Sequence, residues 1–180
     1  MKRVSLSVAA ILFAVPAFAQ SSATAAAIGV GTARGIFEMN QNYVMKSAEQ
    51  MTEADYAFKP VATVRSFGEL IGHIAGSEMM FCAAALGETP KGEDDIEKSV
   101  KTKAGLIAAL KSAGEYCVRA YALTDAQAGG TTKLFGGDQS KMFALMLNAS
   151  HVGEHYGNIV TYMRVKGMVP PSSQPRAGGM

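Results

Sequence analysis

The stretch that most constrains the fold runs from about residue 140 to 166, where apolar positions recur with helical period. Within it lies Ser150-His151-Val152-Gly153-Glu154-His155-Tyr156-Gly157-Asn158. His151 and His155 are four residues apart, so a helix places them on one face, one turn above the other. The same stripe continues through Ala144 and Leu147 below the pair and Asn158 and Tyr162 above it, which makes it a core-facing stripe. Imidazoles directed into an apolar interior need partners for their ring nitrogens, and a bound metal is one such partner.

Three further segments share the period. Residues 33–51 present Ile36, Phe37, Asn40, Tyr43, Val44, Ser47 and Met51 on one broad face. Ser66 is a good N-cap with Glu69 three residues on, the spacing of a capping box. Phe67, Leu70, Ile71, Ile74, Ser77, Phe81 and Ala84 follow at helical spacing, with His73 in the same stripe and a stop at Gly87. Residues 102–123 bury Leu106, Leu110, Ala113, Cys117, Ala120 and Tyr121. Between the second and third helices, residues 89–101 read as a long polar connection, and the glycines at 129–130 and 136–137 as loop punctuation. No run of strand-period alternation and no internal repeat is visible. The expected architecture is all-α, a four-helix bundle over residues 33–168, with a loosely ordered extended tail at 169–180.

The N-terminus has a different character. Lys2 and Arg3 precede an apolar run over residues 4–15, and Ala17-Phe18-Ala19 supplies small residues where a signal peptidase reads. The expectation is a cleaved signal peptide at 1–19, a lead-in at 20–32 and a periplasmic or secreted destination, with no stable membrane anchor because the run is too short to span. Loss of Lys2 and Arg3 turns the balance of 17 basic and 15 acidic residues into 15 of each, so no basic excess is left for nucleic acid.

An oxidising compartment permits a disulfide between the two cysteines, Cys82 and Cys117; the alternative is that both are buried as small apolar side chains. Cys82 lies about 16 residues into its helix and Cys117 about 15 into the next. If those helices run parallel across the long connection, the thiols lie at similar heights and can bridge. An antiparallel hairpin would leave them about 16 Å apart along the axis, beyond disulfide reach.

His73, His151 and His155 are the chain's three histidines, and all map to inward stripes of the bundle. Taken singly, each is as readily a core histidine satisfied by a hydrogen bond. Together they are three neutral nitrogen ligands for a divalent ion, zinc or nickel, with a coordination position left open. Glu154 flanks the stripe as a weak catalytic candidate and reads more readily as a solvated helix residue. Glu69 lies one turn below His73, where it could contact the ligand, but capping already explains it. Asn40, Tyr43 and Asn158 are polar residues on inward faces that would wall a small pocket or serve as satisfied structural groups. Thermolysin-type and ferritin-type metal motifs and a phosphate-cradling glycine loop are absent.

The combination of Ser66-Phe67-Gly68-Glu69-Leu70-Ile71-Gly72-His73-Ile74-Ala75, then His151-Val152-Gly153-Glu154-His155-Tyr156-Gly157-Asn158, then Tyr162-Met163-Arg164-Val165-Lys166-Gly167-Met168-Val169-Pro170-Pro171-Ser172-Ser173 resembles the DinB-like (YfiT-like) superfamily over about residues 33–173. The resemblance implies a four-helix bundle in which His73, His151 and His155 bind a divalent metal, and it implies homodimers. It also implies thiol-dependent transferase or isomerase chemistry, although an export signal sits badly with thiols confined to the cytosol. The expected function is an exported metal-dependent hydrolase or thiol-type transferase acting on a small molecule. The alternative is a non-catalytic metal-binding or structural bundle.

Overall fold

The computed structural model describes residues 28–89 and 93–175; the expected signal peptide at 1–19 lies outside the described residues. Four long helices carry the fold: α1 (Ile28–Gln50), α2 (Phe67–Leu86), α4 (Lys103–Ala120) and α6 (Lys141–Val165). Shorter pieces connect them: α3 (Glu93–Ser99), α5 (Asp125–Ala128) and a hairpin of β1 (Thr131–Leu134) with β2 (Gly137–Ser140).

Side-chain pairings give the relative directions of the helices. Asn40 meets Gly153 and Tyr43 stacks on Tyr156, so α1 and α6 run parallel. Gly68 touches Leu106 and Cys82 is bonded to Cys117, so α2 and α4 also run parallel. Across the two pairs the order reverses. His73 meets His155 while Cys82 meets Asn148, which makes α2 antiparallel to α6. Phe37 stacks on Tyr121 while Lys103 reaches the end of α1 at Met51, which makes α4 antiparallel to α1. Two parallel helices in succession need a crossover, and residues 87–102 supply it, with α3 in its middle.

Local chemistry fixes the ends of these helices. Ser66 accepts from the Glu69 amide while the Glu69 side chain accepts from the Ser66 amide, closing both halves of the expected capping box. Thr102 and Ser140 cap α4 and α6 in the same way through one hydroxyl each. The start of α1 is capped from a distance. Asp125 accepts from the amides of Gly29 and Val30 at 3.0 and 2.8 Å, and these two bonds hold its carboxyl below the usual range. That remote cap explains why α1 begins at Ile28, earlier than the apolar period alone suggests.

The core is continuous through all four long helices. Val44, Ile71, Ile74, Leu110, Leu145, Ile159 and Met163 are fully enclosed, each stabilising the bundle by about 1.5–3 kcal/mol of transfer free energy.

Three elements depart from the sequence reading. The polar connection contains α3, whose Ile96 packs against the core together with Val100 just beyond the helix. The supposed loop over residues 131–140 is a hairpin, paired from Thr131 with Ser140 to Leu134 with Gly137. Its two-residue turn puts Phe135 at φ 53° and Gly136 at φ 77°, both left-handed, as a type I′ turn demands. The strands are four residues each with little apolar alternation, so the period offered no signal. The third departure is at the tail. Pro171–Ser173 forms a turn, Pro171 is buried, and the Ser172 amide donates to the Tyr156 hydroxyl at 2.9 Å.

Candidate metal centre

His73 stands two turns into α2, where the capping box fixes the helix start, and His151 and His155 stand one turn apart on α6. Because α2 and α6 run antiparallel side by side, the three imidazoles meet. His73 Nε2 lies 3.1 Å from His155 Nε2, which lies 3.0 Å from His151 Nε2. One ligand atom from each of the three falls within 4.8 Å of the others. Four-coordinate zinc with nitrogen ligands at 2.0–2.1 Å would separate adjacent nitrogens by roughly 3.3 Å, so the spacing suits a small divalent ion.

Electrostatics favour the ligating form. His151 is pushed down to about 4, first by burial and then by the neighbouring His73 and by Arg65. His155 is pushed down to about 4 as well, first by burial and then by His151 and His73. Both rings are therefore neutral near pH 7. His155 Nε2 faces two other Nε2 atoms but holds one proton or one lone pair, so it satisfies at most one of them by hydrogen bonding. A cation between the three resolves that conflict, because all three nitrogens then offer lone pairs to one centre.

The surroundings differ from ring to ring. His73 Nδ1 lies 3.6 Å from Glu97 Oε2. His155 Nδ1 lies 3.2 Å from the side-chain amide nitrogen of Asn158. His151 packs edge-on against Phe81, and its buried Nδ1 has no hydrogen-bond partner among the described residues. Beside the cluster opens a cavity of about 340 Å³ lined by Thr63, Val64, Arg65, Leu70, His155, Asn158 and Tyr162. The Tyr162 hydroxyl donates to the Arg65 carbonyl at 2.6 Å and ties the end of α6 to the segment that leads into α2.

Of the residues expected to wall a pocket, Asn158 lines this cavity; Asn40 and Tyr43 do not. Asn40 faces Gly153, where an added Cβ would lie 3.0 Å from its amide nitrogen, and Tyr43 stacks on Tyr156 at 5.0 Å. Both belong to the α1–α6 seam, on the side of α6 away from His151. Glu154 is exposed, as its flanking position suggested, and exerts only a weak upward pull on His155. Glu69 is taken up by the Ser66 amide and Lys59, which hold its carboxyl down at about 2. Among the described residues, the carboxylate that approaches His73 is instead Glu97. It was hidden in the supposed polar connection, although Ile96 and Val100, four apart, mark a short amphipathic turn there. Arg65, which bonds Glu97 at 2.9 Å, escaped notice as well.

The sequence profile of the DinB superfamily matches residues 36–159. The chain belongs to the DinB superfamily. Among solved structures, a DinB-like protein of Bacillus subtilis (YjoA) is 26% identical, with a TM-score of 0.64 over 81% of this chain and 99% of its own. A DinB-like protein of Bacillus cereus is 16% identical, with a TM-score of 0.65 over 77% of this chain and 95% of its own. YfiT of Bacillus subtilis, described as a probable metal-dependent hydrolase with an unusual four-helix bundle topology, is 18% identical, with a TM-score of 0.60 over 77% of this chain and 88% of its own. No curated protein matches the chain. The bundle of this DinB-family chain thus shares its fold with these three structures.

Proposed function

We propose that this DinB-family chain is an exported metal-dependent hydrolase whose divalent ion, zinc or nickel, is held by His73, His151 and His155. The observation that carries the reading is the convergence of three Nε2 atoms, in contacts of 3.0 and 3.1 Å, beside a cavity of about 340 Å³. When bound, the ion supplies Lewis acidity and brings the pKa of a bound water toward neutrality.

The chain's own residues do the rest. His151 and His155 stay neutral at working pH, so their nitrogens need no deprotonation to serve as ligands. Asn158, whose side-chain amide nitrogen lies 3.2 Å from His155 Nδ1, would on turning its amide over present the oxygen there, accept the Nδ1 proton and leave the Nε2 lone pair for the ion. Val64 and Leu70 make one wall apolar, while Thr63, Arg65 and Tyr162 offer polar groups to a small substrate.

Hydrolysis is favoured over thiol transfer on two counts. YfiT carries that description. The Cys82–Cys117 disulfide, together with the basic–apolar–small pattern of residues 1–19, supports a periplasmic site where cytosolic thiols are not supplied. A non-catalytic metal carrier is the second reading; what supports it is that, among the described residues, the cavity lining holds no carboxylate to act as a general base.

Protein purified without an affinity tag should contain about one divalent ion per chain and lose it in the His151→Ala variant. A panel of esters and amides, assayed before and after chelation, should then reveal metal-dependent turnover. Stoichiometric metal with no turnover on the panel would favour the carrier, and absence of metal would remove both readings.

A further inference from the structure

The close approach of α3 to α2 concerns the metal ligand His73 directly. At Gly72, the residue before that histidine, an added Cβ would lie 2.9 Å from the Glu97 Cα and 3.3 Å from the Glu97 amide nitrogen. Contacts that short with backbone atoms leave no room for a side chain. Glycine at 72 therefore sets the distance between the two helices. The consequence is that the Glu97 carboxylate reaches over to His73, with Oε2 3.6 Å from Nδ1. Its other oxygen, Oε1, accepts from Arg65 Nε at 2.9 Å. The Glu97 carbonyl accepts from Lys101 at 2.9 Å, which pins the end of α3.

We infer that Glu97 is a positioning residue for the metal ligand His73, delivered by the glycine contact at Gly72 and steadied by Arg65. The inference rests on the metal reading above and adds to it a residue outside the three ligands. The physical argument concerns the far nitrogen of the ring. His73 presents Nε2 to the other two histidines, so Nδ1 carries the proton in the ligating tautomer. An anion beside Nδ1–H fixes that tautomer and the ring's orientation, and raises the basicity of Nε2. At 3.6 Å the pair is in electrostatic contact and short of a hydrogen bond, within reach of a side-chain rotation. Both side chains are mostly shielded, 13% and 20% exposed, so solvent weakens the attraction less than at an open surface.

Among the described residues, two other carboxylates near the cluster are committed elsewhere. Glu69 closes the capping box and pairs with Lys59, and Glu154 points to solvent from α6. The Arg65 link also has a consequence. Arg65 lines the cavity, so the cavity wall and the ligand share one carboxylate as anchor.

The test uses the full untagged chain, stripped by chelation and titrated with Zn²⁺ against a competing chelator, with Co²⁺ absorption as a second readout. Glu97→Ala should weaken zinc binding about 10–100-fold and shift the visible Co²⁺ bands. Glu97→Gln should lose less, because an amide oxygen still accepts from Nδ1–H. Gly72→Ala should reproduce the loss by holding α3 away, while Glu115→Gln on the exposed face of α4 should change nothing. Urea melts of the metal-free variants separate loss of affinity from loss of fold, and if Gly72→Ala fails to fold the two Glu97 variants decide. Wild-type zinc affinity and Co²⁺ spectrum in Glu97→Ala would overturn the inference while leaving the three-histidine site intact. A wild-type chain that takes up no zinc would overturn the metal reading and this inference with it.

Discussion

Cys82 on α2 and Cys117 on α4 are joined by a disulfide across a Cα–Cα distance of 5.3 Å and 35 residues of chain. Both residues are completely buried, and the amide of Asn148 rests on the two sulfurs at 3.4 and 3.7 Å. The bond closes the crossover between two parallel helices, the one arrangement in which these cysteines can meet. Tethering a loop of that length lowers the entropy of the unfolded chain and contributes about 3–4 kcal/mol. The Cys82→Ala/Cys117→Ala double variant should therefore unfold at clearly lower urea, with a melting temperature down by roughly 10 °C. Wild-type protein unfolded in reductant should match it. Coincident urea curves with and without reductant would contradict this.

Glu78 offers a prediction of opposite sign. It is fully buried on α2; Gln41 donates to its Oε2 at 3.1 Å, while its Oε1 has no hydrogen-bond partner among the described residues. Burial pushes its carboxyl well above the ordinary range, against the smaller pull of Gln41. Its folded pKa exceeds the unfolded one, so the stability it contributes is present at low pH and is lost as pH rises through the folded pKa. Glu78→Gln should remove that dependence and stabilise the protein by about 1–2 kcal/mol at pH 8, with little effect at pH 4. Thermal melts of the two proteins at both pH values check it.

How much of this was legible in the sequence depends on which signal each residue sent. The four long helices and the Ser66–Glu69 cap were readable, because apolar period and capping chemistry are local. The meeting of His73 with His151 and His155 was readable as a convergence of inward stripes, given a bundle. Glu97 was not, because a seven-residue helix in a polar crossover has no long period and its importance comes from packing on Gly72. Asp125, which caps α1 across 95 residues, was hidden for the same reason: it acts on a partner that only the fold brings near. Asn40 and Tyr43 were misplaced because inward on α1 can mean toward α6 or toward α2.

Asn158 should matter to metal affinity though it is exposed and bonds no ion itself. Its side-chain amide is the neighbour of His155 Nδ1 at 3.2 Å. Removing it in Asn158→Ala frees the ring to rotate and to carry its proton on the wrong nitrogen. Zinc affinity should fall about 10-fold, and Asn158→Asp, which supplies an obligate acceptor, should restore or exceed the wild-type value. Calorimetric titration of the stripped proteins measures this. Equal affinities for all three would mean that the tautomer of His155 is set by something else.

The pH dependence of the metal-free protein follows from the two α6 histidines. Burial, with the neighbouring imidazoles behind it, lowers both His151 and His155 from 6.5 to about 4. In the unfolded chain they take up protons near 6.5. Protons are thus bound more weakly by the folded state, so the stability these groups contribute is full above about pH 6.5 and is lost as pH falls toward 4. The two rings couple, so the total loss should be on the order of 3 kcal/mol rather than the sum of two independent shifts. In a Glu78→Gln background, which removes the opposing slope of that buried carboxyl, chelator-stripped protein should show a melting temperature that is flat from pH 8 to 7 and falls steadily from 6.5 to 4. The His151→Gln/His155→Gln variant should lose most of that slope. Glu69 and Asp125, whose carboxyls are held low by hydrogen bonds, act in a separate window that opens only below about pH 4.5, so the variant isolates the histidine contribution. Saturating zinc should remove the slope down to about pH 5, because protons compete for these nitrogens only as pH approaches 4. A stripped Glu78→Gln protein whose melting temperature does not change between pH 7 and 4.5 would show that the rings are solvated, and with that the enclosed neutral site would be lost.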